Sequence, residues 1–331
     1  MGFIGSNFIN FAVNLDQKFK IINIDKLTYA GNPENLKNIE NKRSNNYKFY
    51  RADICDFKTI NKIVTKEKVD YIINFAAETH VDRSIDNPSI CCDTNIFGTQ
   101  SLLNVTRKTN VQKYIQVSTD EVYGSLNFEG SPFTETSPLS PNNPYSASKA
   151  SADLLVRAYF KTFDLPVNIT RCSNNYGPYQ FPEKLIPLII HNALNDIPIP
   201  IYGQGINIRD WIYVADHCEG IFKVLISGKI GEIYNIGGDS ELRNIDLVKN
   251  VLKSLNKPET LITFVKDRPG HDLRYAINYN KITKDLGWKP KTKLDDGLNW
   301  TIKWYLENQE WLKNVISKNY LKYYEKQYKN R

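Results

Sequence analysis

Short apolar segments alternate with helix-forming segments through the first half of this chain. Continuous apolar runs bounded by polar residues predict buried strands over residues 20–24, 71–75, 114–117 and 167–170. Between them, helices are predicted near residues 3–15, 59–67, 88–107 and 144–163. Strands that alternate with helices build βαβ units, so this order predicts an α/β fold with a doubly wound parallel sheet.

The pattern changes after residue 172, where prolines and short elements become frequent. The change predicts two domains. Residues 1–172 would form the parallel-sheet domain, and residues 173–331 would form mainly a smaller, mixed domain that covers a substrate. Some segments of the second part are expected to return to the first. A chain of 331 residues with 41% hydrophobic composition is long enough for both cores.

The segment Gly2-Phe3-Ile4-Gly5 matches the second half of the glycine-rich fingerprint of a dinucleotide-binding fold. In that fingerprint Gly2 would let the backbone approach a pyrophosphate, and Gly5 would allow close helix packing. Asp25 follows an apolar run, where a carboxylate is expected to meet an adenosine ribose, which favours NAD over NADP. Taken alone, the short glycine pattern also fits an ordinary tight helix start.

A complete fingerprint has a preceding strand and a further glycine, whereas this sequence has only Met1 before Gly2. We therefore expect a Rossmann-type sheet whose first strand is missing, with part of the phosphate cradle lost. Two other segments support the cofactor interpretation. Both Asp53-Ile54 and Ala76-Ala77 follow strand-like apolar segments, where cofactor contacts are expected.

Two motifs predict proton and hydride chemistry. Thr119-Asp120-Glu121 ends a predicted strand, and Tyr145 precedes Lys149 by about one helical turn, so the two side chains share a helix face. The Lys149 ammonium is expected to stabilise a Tyr145 phenolate and thereby to lower the pKa of that tyrosine. A phenolate can accept a hydroxyl proton while hydride leaves the same carbon. Carboxylates at a strand end are often only turn residues, but both motifs together indicate catalysis.

The bulk properties argue against several classes of protein. The net charge is +7, and basic residues crowd the C-terminus among tyrosines, which predicts a terminal helix with a solvated face rather than a nucleic-acid-binding tail. The five cysteines lack CxxC spacing and the four histidines lack metal-ligand spacing, so we expect reduced thiols, a cytoplasmic location and no metal. No apolar run is long enough to span a membrane, and no signal peptide is visible.

Longer motifs accompany the Thr119-Asp120-Glu121 triplet. They are Ala76-Ala77-Glu78-Thr79-His80-Val81-Asp82, Thr170-Arg171-Cys172-Ser173-Asn174-Asn175-Tyr176-Gly177-Pro178, Gln180-Phe181-Pro182-Glu183-Lys184-Leu185-Ile186-Pro187, Arg209-Asp210-Trp211 and Asp267-Arg268-Pro269-Gly270-His271-Asp272. With these motifs the chain resembles the extended short-chain dehydrogenase/reductases, and within these the dTDP-glucose 4,6-dehydratase family, over nearly its whole length. Related epimerases usually carry small or hydroxyl residues where this chain has Asp120 and Glu121.

The resemblance implies a redox-neutral hydro-lyase that acts on dTDP-glucose in deoxysugar (dTDP-rhamnose) biosynthesis. Tyr145 would deprotonate the C4 hydroxyl as hydride passes to NAD, Lys149 would hold Tyr145 ionised, and Thr119 would bind the same hydroxyl. Glu121 would remove the C5 proton, and Asp120 would protonate the leaving C6 hydroxyl. Hydride would then return to C6, and the product would be dTDP-4-keto-6-deoxyglucose.

The resemblance also implies two sets of binding residues. The cofactor set is Gly2, Phe3, Ile4, Gly5, Asp25, Lys26, Thr28, Asp53, Ile54, Ala76, Ala77, Thr79, Thr94, Tyr145, Lys149, Cys172 and Asn174. The substrate set is His80, Thr119, Asn174, Glu183, Lys184, Leu185, Pro200, Tyr202, Arg209, Asn244, Arg268, His271 and Tyr275. For Tyr202 and Tyr275 the alternative is core aromatic packing, for Arg209 a structural ion pair, and for His80 a loop contact.

Other functions stay open at this stage. The same chemistry on UDP-glucose is an alternative, because the base is sensed only through residues around 200–202. A 4-epimerase is disfavoured by the presence of both Asp120 and Glu121. An inactive nucleotide-binding or scaffold protein is supported only by the missing strand. The resemblance further implies a homodimer, joined by a bundle of the Tyr145 helix and the helix near residues 88–107, and neither a nucleic acid nor a membrane is expected as a partner.

Overall fold

The computed structural model describes residues 1–15, 19–41, 46–316 and 318–328 as a mixed α/β protein. The strands are β1 Ile21–Asp25, β2 Tyr47–Arg51, β3 Tyr71–Asn74, β4 Lys113–Thr119, β5 Val167–Cys172, β6 Asn174–Tyr176, β7 Ile199–Tyr202, β8 Ile208–Tyr213, β9 Ile233–Ile236, β10 Glu241–Arg243 and β11 Ile262–Val265. The helices are α1 Phe3–Leu15, α2 Lys37–Asn41, α3 Phe57–Glu67, α4 Val81–Asp86, α5 Pro88–Cys91, α6 Gly98–Lys108, α7 Pro144–Phe163, α8 Leu185–Leu194, α9 Val214–Ser227, α10 Asn244–Ser254, α11 Asn280–Leu286, α12 Leu294–Glu307, α13 Gln309–Val315 and α14 Lys318–Tyr328.

The central sheet consists of four parallel strands in the order β3-β4-β5-β9. β1 and β2 pair in parallel as a separate two-stranded sheet. The predicted parallel α/β fold is confirmed, and the four predicted strands correspond to β1, β3, β4 and β5. Among the described residues no strand connects the β1-β2 pair to the central sheet, and the first element of the chain is helix α1.

The second half of the chain adds two small sheets. One has the order β10-β8-β6, with an antiparallel and a parallel pair, and the other joins β11 to β7 in parallel. Strand β9, far along the chain, pairs with β5 and extends the central sheet. The mixed character of this half matches the sequence, whereas the domain division at residue 172 stays a prediction.

Helix α7 shows how local sequence fixes an element that carries two catalytic candidates. Asn143 caps its start, because the Asn143 side chain accepts a hydrogen bond from the Ser146 amide at 2.9 Å and the Ser146 hydroxyl contacts the Asn143 amide at 3.3 Å. Pro144 occupies the first turn, where a missing amide proton costs nothing. The helix ends at Asp164, which adopts the left-handed conformation. The predicted helix over residues 144–163 is therefore confirmed at both ends.

The continuous helix predicted near residues 88–107 is wrong in its middle. Helices α5 and α6 are separated by the π-helical segment Cys92–Phe97, which contains Asn95. The Asn95 side chain accepts from the Glu78 amide at 2.9 Å and donates to the Glu78 carbonyl at 3.0 Å and to Ser148 Oγ at 2.8 Å. A π-turn inserts one extra residue into a helix, which here accompanies an inward-facing asparagine clamped to the loop after β3.

Two apolar cores lie beneath the candidate site. One packs the central sheet against α1 and α9, and the other packs α8, α10 and α12 against the small sheets of the second half. None of the described helices is long and apolar enough to cross a membrane. The last part of the basic tail, residues 329–331, lies outside the described residues.

Candidate active site

The carboxyl ends of parallel strands carry most of the candidate side chains. β1 ends at Asp25, β4 at Thr119 and β5 at Cys172, while Asp53 follows β2 and Ala76 follows β3. In open α/β sheets ligands bind outside the carboxyl ends of the strands. The fold therefore places these five positions on the side of the sheets where a dinucleotide and its reacting partner are expected.

The predicted catalytic triplet forms a tight turn directly after β4. The Thr119 hydroxyl contacts Asp120 Oδ1 at 3.2 Å and accepts from the Glu121 amide at 3.3 Å. A 3-10 turn, Asp120–Tyr123, follows, and it ends at Gly124 with φ of +88°. A Cβ atom at Gly124 would clash with the carbonyl oxygen of Ser140. Only glycine fits there, so the turn that presents both carboxylates depends on Gly124.

The two carboxylates lie in different electrostatic surroundings. Burial raises the pKa of Asp120 well above its usual range, and the negative charges of Glu121 and Asp210 add to the effect. Burial also raises the pKa of Glu121, but the cations Arg268, Arg209 and Lys184 oppose this rise. Asp120 is therefore the group that tends to hold a proton, and Glu121 is the one that tends to be ionised.

Tyr145 and Lys149 are both buried and project from the first turns of α7. The Lys149 ammonium donates to the Val117 carbonyl at 2.7 Å. Burial and the charge of Glu121 raise the pKa of Tyr145 well above its usual value, although a hydrogen bond with Thr119 opposes the rise. This direction is opposite to the lowering expected from Lys149, because desolvation and neighbouring carboxylates dominate.

The cofactor candidates near the amino terminus form a compact polar group. Lys26 Nζ lies 2.6 Å from Asp53 Oδ2, so two predicted cofactor residues form an ion pair. Asp25 accepts from the Leu27 amide at 2.7 Å and from the Met1 ammonium at 2.6 Å. A carboxylate with two donors at this position can equally accept ribose hydroxyls, so these residues fit a dinucleotide.

Positive side chains of the second half converge on the carboxylate turn. Lys184 Nζ donates to the Thr79 carbonyl at 2.7 Å, which joins a substrate candidate to the loop after β3. Arg209 Nη2 donates to the Asp272 carbonyl at 3.0 Å. The charges of Arg209 and Arg268 influence each other, and both oppose the rise of the Glu121 pKa. Guanidinium groups bind phosphates through paired donors, so this cluster suits a diphosphate.

The alternatives weighed for three candidates can now be compared with the structure. Arg209 stacks over the Tyr275 ring at 4.4 Å and donates to the carbonyls of Ile208 and Asp272, so these contacts are to a ring and to backbone oxygens rather than to a carboxylate. Tyr275 is almost fully buried, and its hydroxyl donates to Asp272, which fits a core position at the wall of the site. His80 caps α4, since its Nδ1 accepts from the Arg83 amide at 3.4 Å.

Several buried polar atoms of the candidate residues have no hydrogen-bond partner within the described part of the chain. They are Asp120 Oδ2, Glu121 Oε2, Asn174 Oδ1, Asn244 Oδ1 and Arg268 Nε. Buried polar groups in proteins are almost always paired, and unsatisfied ones mark strain or a missing ligand. Five such atoms among the predicted site residues indicate a polar cavity whose partners come from a bound molecule.

The other candidates lie on several elements in both halves of the chain. Phe3 and Ile4 pack against the core of the central sheet, whereas Ile54 is buried against α3 and α6. Leu185 begins α8, and Pro200 lies in β7 opposite Thr263. The remaining candidates occupy the following places: Gly2 before α1, Gly5 in α1 beside Phe75, Thr28 in the loop after β1, Ala77 in the loop after β3 and Thr94 in the π-helical segment.

His271 and Glu183 complete the wall formed by the second half. His271 Nδ1 lies 2.6 Å from Asp267 Oδ1, yet burial and the nearby charges of Arg268 and Arg209 lower the pKa of His271 to about 4. Glu183 accepts from the Tyr29 hydroxyl at 2.8 Å and pairs with Arg83 at 3.0 Å. His271 is therefore neutral at neutral pH, and Glu183 is held as an anion.

Sequence reasoning missed a pocket, about 220 Å³ in volume, beside the loop after β3. Its wall includes Tyr29, His80, Arg83 and Tyr323. The Arg83 guanidinium lies between the Tyr29 and Tyr323 rings, 4.0 Å from each centroid. The tail tyrosines were predicted to lie on a helix, and their helical spacing was the only signal that one face of α14 is covered.

The parallel sheet and the turn that joins two carboxylates to a tyrosine–lysine pair define an α/β enzyme of the dehydrogenase/reductase class. Comparisons with known proteins specify it further. The family model described as GDP-mannose 4,6 dehydratase matches residues 1–301. The dTDP-glucose 4,6-dehydratase of Salmonella typhimurium is 48% identical over 100% of this chain and 97% of its own length.

Solved structures agree with the sequence comparisons. The dTDP-glucose 4,6-dehydratase of Streptomyces venezuelae, with NAD and TYD (thymidine diphosphate) bound, has a TM-score of 0.91 and 46% identity, with 95% of this chain and 97% of that one covered. The enzyme of Bacillus anthracis in complex with NAD has a TM-score of 0.88 and 47% identity, with 95% and 96% covered. This chain therefore belongs to the dTDP-glucose 4,6-dehydratase family, as its motifs predicted.

Proposed function

We propose that this protein dehydrates dTDP-glucose to dTDP-4-keto-6-deoxyglucose with NAD as resident cofactor, as a step in deoxysugar biosynthesis. One observation carries the proposal beyond the family relationship. Asp120 and Glu121 are adjacent carboxylates buried in one turn. Three cations oppose the rise of the Glu121 pKa, whereas two neighbouring carboxylates add to the rise of the Asp120 pKa. Pairs of acids whose surroundings push their pKa values apart serve as acid and base. An epimerase needs no such pair.

The residues present fit NAD, because Asp25, Lys26 and Asp53 form a polar group at the strand ends and Asn174 has an unsatisfied buried oxygen. When bound, NAD accepts a hydride from the sugar and later returns it. The chain supplies the groups that orient the sugar and move protons. Asp25 would hold the adenosine ribose, and Lys149 would hold the nicotinamide ribose.

Tyr145 would take the proton of the C4 hydroxyl, and Thr119 would orient that hydroxyl. The positions support these roles, because Thr119 hydrogen-bonds Tyr145 and both groups are almost fully buried. Burial raises the pKa of Tyr145, and a cation close to its hydroxyl would favour the phenolate form that takes up the proton.

Glu121 would then remove the C5 proton, which a neighbouring C4 ketone acidifies. Its ionised form is favoured by Arg268, Arg209 and Lys184. Asp120 would give its proton to the C6 hydroxyl as water leaves, and its protonated form is favoured by burial and by the negative charges around it.

The same cations give the protein a place for the nucleotide diphosphate. Arg209, Arg268 and Lys184 lie around Glu121, and the Nε donor of Arg268 is buried without a partner in the described residues. A diphosphate would satisfy this donor and would compensate the positive charges. Tyr202, in β7, would contact the thymine.

The experiment that tests the function is mass spectrometry of dTDP-glucose incubated with the purified protein and NAD, with UDP-glucose in a parallel reaction. We expect the dTDP sugar to lose one water molecule while NAD shows no net consumption. Water loss from UDP-glucose alone would keep the chemistry and overturn the choice of base. A C4 epimer without water loss would overturn the dehydratase itself.

We also propose a homodimer. Large apolar side chains are exposed on adjoining helical segments, with Ile90 on α5, Phe97 on the π-helical segment and Leu154 on α7. Phe97 and Leu154 are each 57% exposed. A second copy of the same surface would bury these side chains, since exposed apolar patches commonly mark protein–protein interfaces. The cytoplasmic location stays a prediction that rests on the cysteine pattern.

A further inference from the structure

The C-terminal helix α14 is docked onto the protein by its tyrosine-rich face. Tyr320 is 4% exposed, and its hydroxyl donates to the Pro182 carbonyl at 2.9 Å. Asn192 donates to the Tyr324 hydroxyl at 2.9 Å. At the edge of this face, Leu321 is 46% exposed. The helix is therefore amphipathic, and its buried side lies against the segments that carry the substrate candidates.

One end of this buried side contacts the loop after β3. The Tyr323 hydroxyl lies 3.3 Å from His80 Nδ1, which also accepts from the Arg83 amide at 3.4 Å. Because that amide is a donor, Nδ1 is an acceptor and the proton of neutral His80 sits on Nε2. Burial lowers the pKa of His80, which keeps it neutral. The Arg83 amide thus sets the tautomer of His80, and Tyr323 contacts the same nitrogen and helps to hold the ring.

The other end contacts the residue assigned to the nucleobase. Gln327 is 5% exposed, and its amide donates to the Tyr202 hydroxyl at 2.9 Å. Tyr202 in turn donates to Asp82 Oδ2 at 3.2 Å. The Tyr328 ring lies 6.0 Å from the Tyr202 ring, and the His271 ring lies at the same distance. Tyr202 is therefore oriented by groups from both halves of the chain and from the last helix.

We propose that α14 is a wall of the nucleotide-sugar site, in which Gln327 and Tyr323 are positioning residues for Tyr202 and His80. The proposal rests on the function proposed above, since that function assigns Tyr202 and His80 to the substrate. It extends the site by a segment that no catalytic motif contains. Its consequence is that binding of the nucleotide, rather than the chemical step, depends on contacts from the last helix.

The test compares three single variants of the full chain. Gln327→Leu removes the amide donor and keeps the bulk, and Tyr323→Phe removes the hydroxyl but keeps the ring against Arg83. Leu321→Ala is the matched control at an exposed position of the same helix. Each protein is titrated with dTDP by calorimetry, assayed with dTDP-glucose, and analysed for retained NAD and thermal unfolding.

We expect Gln327→Leu and Tyr323→Phe each to weaken dTDP binding by about three- to tenfold, which corresponds to the loss of one oriented hydrogen bond. The KM for dTDP-glucose should rise by a similar factor. Their kcat and NAD content should stay within about twofold of the unaltered protein, and Leu321→Ala should match it throughout. Unchanged dTDP affinity in both test variants, or tighter binding, would overturn the proposal. If the unaltered protein does not dehydrate dTDP-glucose but the two variants still bind dTDP more weakly, the role of α14 in nucleotide binding would stand and the proposed function would be rejected.

Discussion

Arg171 Nε lies 2.9 Å from Asp153 Oδ2, and both side chains are almost completely buried beneath the candidate active site. Asp153 stands one helical turn after Lys149 on α7, and its charge is the main influence that opposes the lowering of the Lys149 pKa by burial. Arg171 also lies 4.8 Å from the Tyr123 ring. This ion pair therefore connects β5 and α7 directly behind the tyrosine–lysine pair.

Asp153→Asn leaves the Arg171 cation buried without its counter-ion, so we expect it to lower the free energy of unfolding by about 3 kcal/mol. Urea denaturation monitored by tryptophan fluorescence would measure the loss. Glu307→Gln is the matched control, because the Lys303–Glu307 pair spans 3.8 Å and both partners are largely exposed. It should change stability by less than about 0.5 kcal/mol. Equal effects of the two substitutions would contradict the assignment.

His217 predicts how stability depends on pH. It is fully buried with Nδ1 2.8 Å from Asn175 Oδ1, and burial lowers its pKa to about 3. In the unfolded chain this histidine binds a proton once the pH falls below its ordinary pKa of 6.5. In the folded chain it does so only near pH 3. Stability is thus lost as pH falls from 6.5 towards 3. The expected contribution of this group between pH 7 and 5 is about 2 kcal/mol.

Denaturation at pH 7 and at pH 5 for the unaltered protein and for His217→Gln would isolate that contribution. The variant should lose about 2 kcal/mol less than the unaltered protein over this interval, whatever its stability at pH 7. The same loss in both proteins would show that His217 is not the group that resists protonation.

The pH dependence of kcat follows from the two carboxylates. In the proposed mechanism Asp120 is the acid, so activity should fall as pH rises through its raised pKa. Glu121 is the base, so activity should fall as pH drops through its own pKa. Asp210→Asn removes a negative charge that helps Asp120 to keep its proton, so the alkaline limb should move to lower pH. Arg268→Gln removes a cation that favours ionised Glu121, so the acid limb should move to higher pH.

These two shifts are measured in saturating dTDP-glucose, so that effects on binding do not enter. The unaltered limb of each profile serves as its internal control. A profile in which Asp210→Asn moves the acid limb instead would exchange the roles of the two carboxylates.

The proposed dimer is tested by Leu154→Glu, which places a charge on the exposed apolar patch of α7. Burying an unpaired carboxylate between two copies is strongly unfavourable, so the variant should be monomeric in light scattering at concentrations where the unaltered protein is a dimer. Phe264→Glu is the control, since Phe264 is 58% exposed on β11, away from these helices. The same mass for all three proteins would reject this interface.

Local signals in the sequence were sufficient for elements whose ends carry their own chemistry. Helix α7 has Asn143 and Pro144 at its start, and the strand before Thr119 is a continuous apolar run. The family motifs likewise located the carboxylate pair. These features depend on neighbours in sequence, which is why they were predicted with their correct positions.

Features set by distant contacts could not be predicted. The π-helical turn at Asn95 depends on the Glu78 backbone, and the pKa of Tyr145 depends on burial and on the carboxylates of the turn after β4. The docking of α14 depends on Tyr202 and His80, which lie far away in sequence. The tyrosine spacing indicated a helix with two faces, but it did not identify what the inner face covers.

In the proposed mechanism, Glu121 removes the C5 proton and Asp120 protonates the leaving hydroxyl. Its most direct test is the reaction of dTDP-glucose in deuterated water with Glu121→Gln and Asp120→Asn, followed by mass spectrometry and proton NMR. We predict that both variants lose water elimination by at least about a hundredfold, and that only Asp120→Asn still exchanges the C5 proton for deuterium. Exchange at C5 in Glu121→Gln but not in Asp120→Asn would contradict the assignment of Glu121 as the base and Asp120 as the acid.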